Sequence, residues 1–307
     1  MGAVTRAERR RDAQWWTPPR LPAVFAQYPA DGMGAVGLLD IDAAVVAGAT
    51  RIVRQFHRTP LYLLRPLYLD PQHPGMAFLY LQQHGDGILQ GDRLRIDIDV
   101  SAGAQVHVTT QSATKIYGMD AGYAVQQVNI CAGAGSVVEY LPDPVIPFKG
   151  SRFYGSNRLV VDPTATVFFA ETLMPGRAGE YHDYDLYWTT TVLHRPSGEL
   201  LLSDTLCFGS SAGRADTPAR LGGFAVHVAL FVLAPSDRLS ELTAVLVDAL
   251  GSCRDVLAGV SALPSECGVG VRILGHSTRS VAAAVRVGWQ SARLALLGAP
   301  APDLRKG

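Results

Sequence analysis

The side chains best placed to do chemistry are carboxylates set beside glycine and proline turns: Asp86, Asp92, Glu139, Asp143, Glu171, Glu180 and Asp183. Two of them follow apolar runs. Glu139 comes after Val137-Val138, and Glu171 after Phe168-Phe169-Ala170. A carboxylate in such a setting is half-buried and needs a partner. One reading is an ion pair with Lys115, Lys149, Arg152 or Arg177. The other is an oxygen-lined passage for a divalent cation. Oxygen donors hold such ions loosely enough for transfer, whereas Cys/His cages trap them. Both readings stand at the level of sequence.

Other constellations point away from catalysis. Ser112-Ala113-Thr114-Lys115 has the spacing of a serine activated by a lysine one helical turn away. Its flanks read as strand, however, and no Ser-Asp-Asn or Lys-Thr-Gly follows. No phosphate-binding loop ending in Gly-Lys-Ser or Gly-Lys-Thr is present, so nucleotide hydrolysis is not expected. Gly133-Ala134-Gly135 lacks the third glycine and the helix of a dinucleotide site. The histidines never form a ligand-like pair on one short element. His107 and His182 fall on predicted strands and read as surface or hydrogen-bonded core residues. Cys131, Cys207, Cys253 and Cys267 are far apart with no Cys-x-x-Cys, which suits buried reduced thiols rather than a zinc site. The expectation is a protein that is not an enzyme. A cleft using Lys115, Arg177 and Glu180 is the enzymatic alternative.

Composition narrows the field further. The 27 basic and 27 acidic residues balance, which argues against nucleic acid as the main partner. A 48% hydrophobic content suits a well-buried core. No apolar run reaches the roughly 18 residues of a membrane span. The arginine-rich start is not followed by an apolar stretch, so no secretory signal is expected. Reduced thiols and no export signal point to the cytoplasm.

The elements that must position these residues are mostly short strands, as 31 Gly and 19 Pro favour. Leu94 to Val100 alternates at period two, which predicts Leu94, Ile96, Ile98 and Val100 on a buried face and the charges in water. Residues 94–208 carry several such runs. One, Tyr181 to Val192, would place His182, Tyr184, Leu186, Trp188, Thr190 and Val192 on one face. Three segments resemble one another at a spacing of about 30 residues: Val100 to Val106, Ile130 to Val137 and Val161 to Val167. That spacing suits β layers wound about a common core. Residues 236–251 and 277–297 read as helices, the second capped by Ser277 and ended by Gly298. Its apolar stripe is Val281, Val285, Trp289, Ala292 and Leu296. Residues 1–31 read as loosely ordered, with an Arg6–Arg11 charge run, four prolines and an aromatic pair, Trp15-Trp16, able to dock on the domain or a partner. Residues 32–307 read as one domain, with a β body at about 34–233 and a helical part at about 236–298.

Five segments resemble the urease accessory protein UreD (UreH) family, in family order: Leu64-Arg65-Pro66-Leu67-Tyr68, Gln90-Gly91-Asp92-Arg93-Leu94, Val108 to Tyr117, Glu139 to Phe148, and Gly176-Arg177-Ala178-Gly179-Glu180. The resemblance implies a mainly β fold of stacked, helically wound sheets, a β-solenoid-like body, with two C-terminal helices packed at one end. It also implies a scaffold in the cytoplasm. That scaffold would bind apo-urease and UreF, and through UreF the GTPase UreG, in a hetero-oligomer that delivers nickel to urease. Nickel would be in transit, not a tightly bound cofactor. Neither a membrane nor nucleic acid would be a partner. The carboxylates inside the matched region, Asp92, Glu139, Asp143, Glu171 and Glu180, are the implied metal-passage residues. A β-rich binding module or chaperone for another metalloenzyme is the alternative.

Overall fold

A computed structural model describes residues 20–29, 34–209 and 213–304. The first strands are β1 (Val36–Val46), β2 (Ala49–Arg58), β3 (Leu61–Leu63), β4 (Ala77–Gln83), β5 (Arg93–Val100) and β6 (Gln105–Thr110). There follow β7 (Thr114–Ile116), β8 (Ala124–Ala132), β9 (Val137–Tyr140), β10 (Val145–Pro147), β11 (Arg152–Val161) and β12 (Thr166–Leu173). The last are β13 (Leu186–His194), β14 (Leu200–Gly209), β15 (Val226–Leu233), β16 (Val256–Ala262) and β17 (Gly268–Gly275). They build a seven-stranded sheet, β14-β13-β11-β8-β5-β1-β2, facing a ten-stranded sheet that runs from β16 to β3.

The chain winds between the two sheets in solenoid-like stacked coils. Strands β5, β8 and β11 are parallel neighbours in one sheet, and their successors β6, β9 and β12 are parallel neighbours in the other. The three similar sequence segments are the corners of successive coils. Val100 lies beside Ala132, and Ala132 beside Val161. Backbone bonds tie corner to corner: Gly103 N–H to Ala134 O at 2.9 Å and Thr166 N–H to Ser136 O at 2.9 Å. Gly103 and Gly135 turn these corners at φ 69° and 61°, where a β-carbon would be strained. Between the sheets, Ile41, Ile98, Ile130, Leu159 and Leu193 form a buried ladder across neighbouring strands.

Both expected helices form: α1 (Leu239–Gly251), whose first expected residues Ser236–Arg238 make a separate 3-10 turn, and α2 (Thr278–Leu297). The Ser277 hydroxyl accepts from Ser280 N–H at 3.1 Å, and Gly298 ends α2 at φ 69°. They cover the outer face of the ten-stranded sheet toward its β16 end. Leu242, Leu246, Val281, Ala284 and Trp289 pack there against Phe168, Val228, Leu230 and Val271. Each such aliphatic side chain taken from water stabilises by roughly 1.5–3 kcal/mol.

Three sequence expectations are corrected. Two of the charges of β5 are not in water: Arg95 and Asp97 are both 7% exposed. They can be buried because Arg95 Nε contacts both Asp97 oxygens at 3.0 and 2.9 Å and Asn129 donates to Asp97 at 2.7 Å. The long run from Tyr181 becomes a strand only at Leu186. Before it, His182 stands at φ 59° and its N–H bonds Pro175 O at 2.6 Å, so the segment turns instead of pairing. Residues 20–29 are not loose, because Phe25 is 1% exposed and packs edge-on against Tyr123 and tilted against Tyr154. The Arg6–Arg11 run and Trp15-Trp16 lie outside the described residues. Strand β16, VLAGVSA, is too short and mixed to stand out in the sequence.

Candidate functional site

The β12 pleat sorts its side chains between two environments. Phe168 and Ala170 turn toward the helices, while Phe169 and Leu173 join the core between the sheets. Glu171 shares their parity and points into that interior. It lines two cavities. The first, about 130 Å³, runs from exposed Asp86, Gln111 and Ser112 inward to Tyr140, Asn157 and Glu171. The second, about 80 Å³, lies on the other side of Glu171 and is lined by Asp204, His227 and Arg272 among others.

Two strands of the facing sheet hold Glu171 in place. Asn157 on β11 and Thr191 on β13 are register partners. Asn157 Nδ2 donates to Glu171 Oε1 at 2.9 Å, and the Thr191 hydroxyl donates to Oε2 at 3.0 Å. Burial pushes the Glu171 carboxyl up from its ordinary range, against the opposing pull of the Thr191 and Asn157 hydrogen bonds. Burial, and then the Arg272 guanidinium, push His227 down to about 4. Its imidazole is therefore neutral near neutral pH and able to act as a nitrogen ligand. Arg272 Nη2 donates to Asp204 Oδ1 at 2.6 Å.

Glu139 is the neighbour of Tyr140 on β9 and so faces the opposite side of the sheet. It is fully buried beneath α2. Its Oε2 meets His107 Nδ1 at 2.7 Å, and its Oε1 lies 3.2 Å from Arg293 Nε. Arg293, also fully buried, donates to Asp70 Oδ2 at 2.5 Å. Although burial pushes Asp70 up, the Gln72 amide and Arg293 hold its carboxyl below the usual range. This network joins the last helix to the ten-stranded sheet, with the Trp289 ring tilted against His107 at 5.2 Å.

The other sequence candidates are spread apart. Asp92 is a buried turn carboxylate whose oxygens accept from Ala35 N–H at 2.8 Å and Leu89 N–H at 2.9 Å. Burial pushes it up despite these bonds. Asp143 lines the first cavity, and its N–H donates to Thr110 Oγ1 at 2.9 Å. Glu180 sits in the turn closed by its N–H to Arg177 O at 2.9 Å. Lys115 lines the first cavity, whereas Arg177 stacks over Phe148 at 5.2 Å. The structure thus brings Asp143 and Glu171 to one cavity and places Asp92, Glu139 and Glu180 elsewhere. Among the described residues, no three His, Cys, Asp or Glu side chains converge as a metal cage. None of the four cations offered as partners pairs with Glu139 or Glu171. The residues sequence reading missed are Asn157, Thr191, Asp204, His227 and Arg272. The available signal was a polar residue breaking the apolar inward parity of its strand.

The wound two-sheet body, with a carboxylate set between two cavities, defines a class of β scaffold with polar groups between its sheets. The chain belongs to the UreD urease accessory protein family, whose sequence profile matches residues 35–306. It is 45% identical over 275 residues to a urease accessory protein UreD 2 of Streptomyces griseus, covering 88% of this chain and 94% of that one. It is 35% identical over 277 residues to urease accessory protein UreD of Cenarchaeum symbiosum, covering 89% and 96%. A Brucella ovis urease accessory protein UreD 2 is 32% identical over 281 residues, covering 90% and 93%. No helix among the described residues is long and apolar enough to cross a membrane.

Proposed function

We propose that this protein is a non-catalytic scaffold of urease maturation in the cytoplasm. It binds apo-urease and UreF, and through UreF the GTPase UreG, in a hetero-oligomer that loads nickel into urease. Nickel is the cargo, in transit past oxygen donors, and is not a resident cofactor. The observation that carries this reading is Glu171, an interior carboxylate that lines two cavities at once. Asp143 supplies a second carboxylate to the first of them. Scattered oxygen donors suit a passing hard or borderline cation better than a closed cage does.

The test is co-expression of the urease subunits and the other accessory proteins with this chain, with its Glu171→Gln variant, or without it. Nickel per purified urease is then measured. The expected result is low nickel without the chain and with Glu171→Gln, and full loading with the wild type. Full loading in the absence of the chain refutes the role in maturation, and full loading by a folded Glu171→Gln refutes the passage.

A further inference from the structure

The second cavity continues beyond the reach of Glu171. Arg272 lines it, and Arg272 also lines a third cavity of about 290 Å³ at the edge where β14 and β16 meet. Glu171 thus borders the first pair of cavities and Arg272 the second pair, and with its side chain 41% exposed Arg272 stands at the outer end of this row. The two partition residues have opposite charges. An anion at the first partition attracts a cation, and a guanidinium at the second repels it.

We propose that Arg272 is the gate of the passage: its guanidinium is a resident cation seated on Asp204, and a divalent cation leaving Glu171 moves on only by displacing it. This inference rests on the passage reading above. The geometry supports displacement over a fixed strut. Arg272 contacts Asp204 through Nη2 at 2.6 Å, while its Nη1 is buried with no hydrogen-bond partner among the described residues. The rest of its hold is the face of Phe231, 5.0 Å away. A guanidinium held by one carboxylate contact and one ring can swing off both. Its departure leaves Asp204 unneutralised in a cavity that already holds the Glu171 carboxylate and the His227 imidazole. Carboxylate and imidazole are donor types that nickel accepts, and among the described residues they line the cavity without converging into a closed cage. Asp204 comes from the seven-stranded sheet and Arg272 from the ten-stranded one, so anything that spreads the sheets at this edge also loosens the gate.

The experiment is calorimetric titration of the full-length protein with Ni²⁺, in wild type, Arg272→Gln and Arg272→Lys, each checked for native thermal unfolding. Arg272→Gln removes the resident cation and is expected to bind Ni²⁺ about tenfold tighter, equivalent to about 1.4 kcal/mol. Arg272→Lys keeps the charge and stays close to wild type. Adding Glu171→Gln or Asp204→Asn to Arg272→Gln cancels the gain. If the glutamine variant fails to fold, Arg272→Met, which keeps the stem on Phe231, replaces it. An unchanged Ni²⁺ affinity in the folded, charge-free variant overturns the gate. It leaves the passage standing as long as Glu171→Gln still blocks urease loading. Full urease loading by Glu171→Gln overturns the passage and the gate with it.

Discussion

Glu139 and Glu171 sit on strands that pair in the same sheet, yet their carboxylates lie on its opposite faces. Strand β9 pairs β12 in parallel, with Glu139 beside Phe168. Glu139 therefore shares the helix-covered side, whereas Glu171 looks between the sheets. Two acids that read alike in sequence thus have different roles: one fastens a helix and the other lines a cavity.

Removing Glu139 is expected to harm stability. Glu139→Ala leaves Arg293 with one carboxylate partner in a fully buried site. Loss of one member of a buried charge network costs about 3–5 kcal/mol. Chemical denaturation should show that drop. A combined Asp70→Asn, Glu139→Gln, Arg293→Met variant should recover part of it, since no lone buried charge remains.

Glu171→Gln is expected to do the reverse. Its folded pKa is raised above the unfolded value. The folded state therefore holds its proton longer, and stability falls as pH rises from the unfolded value through the folded one. Replacing the acid with an amide removes that fall, so the variant should be no less stable than wild type at neutral pH. Unfolding free energies measured from pH 4 to 8 check the slope, and urease nickel content checks the loss of function.

His227 gives the complementary acid limb. Its folded pKa of about 4 lies below the ordinary 6.5. The unfolded chain binds the extra proton in that window, so stability is intact above 6.5 and is lost as pH falls toward 4. The contribution is on the order of 3 kcal/mol from the size of the shift. His227→Gln should flatten the acid limb in the same titration.

Gly87→Ala tests the outer end of the first cavity. Gly87 stands at φ 154°, and a β-carbon there would collide with the Lys115 carbonyl oxygen. The bridge between Ile88 N–H and Lys115 O, 2.8 Å long, would have to shift. Both residues 87 and 115 line the cavity. Urease loading should fall while Glu171 remains in place, and refolded protein should show a modest loss of thermal stability.

Much of the wound body could be read from residues. The valine and alanine corners near 100, 130 and 161 repeat because each coil needs the same tight turn, and Ser277 with Gly298 bracket α2 by ordinary capping chemistry. The carboxylates were legible as a set but not as individuals. Which face Glu139 takes depends on strand parity relative to a helix that lies far along the chain. Its partners His107 and Arg293 are equally remote. Alternation reports polarity and so reads Arg95 and Asp97 as a solvated face, whereas a satisfied ion pair can be polar and buried together.

Arg293 meets Asp70 across 223 residues of chain. A ribosome making this protein releases Asp70, His107 and Glu139 long before the arginine that neutralises the two acids has been translated. The growing chain therefore carries an open polar seam on the outer face of a nearly finished sheet until the final helix emerges. Premature termination between Gly275, where the last strand ends, and Arg293 would leave a product with the whole β body made but the seam never closed, a substrate for quality-control proteases instead of a shorter working scaffold.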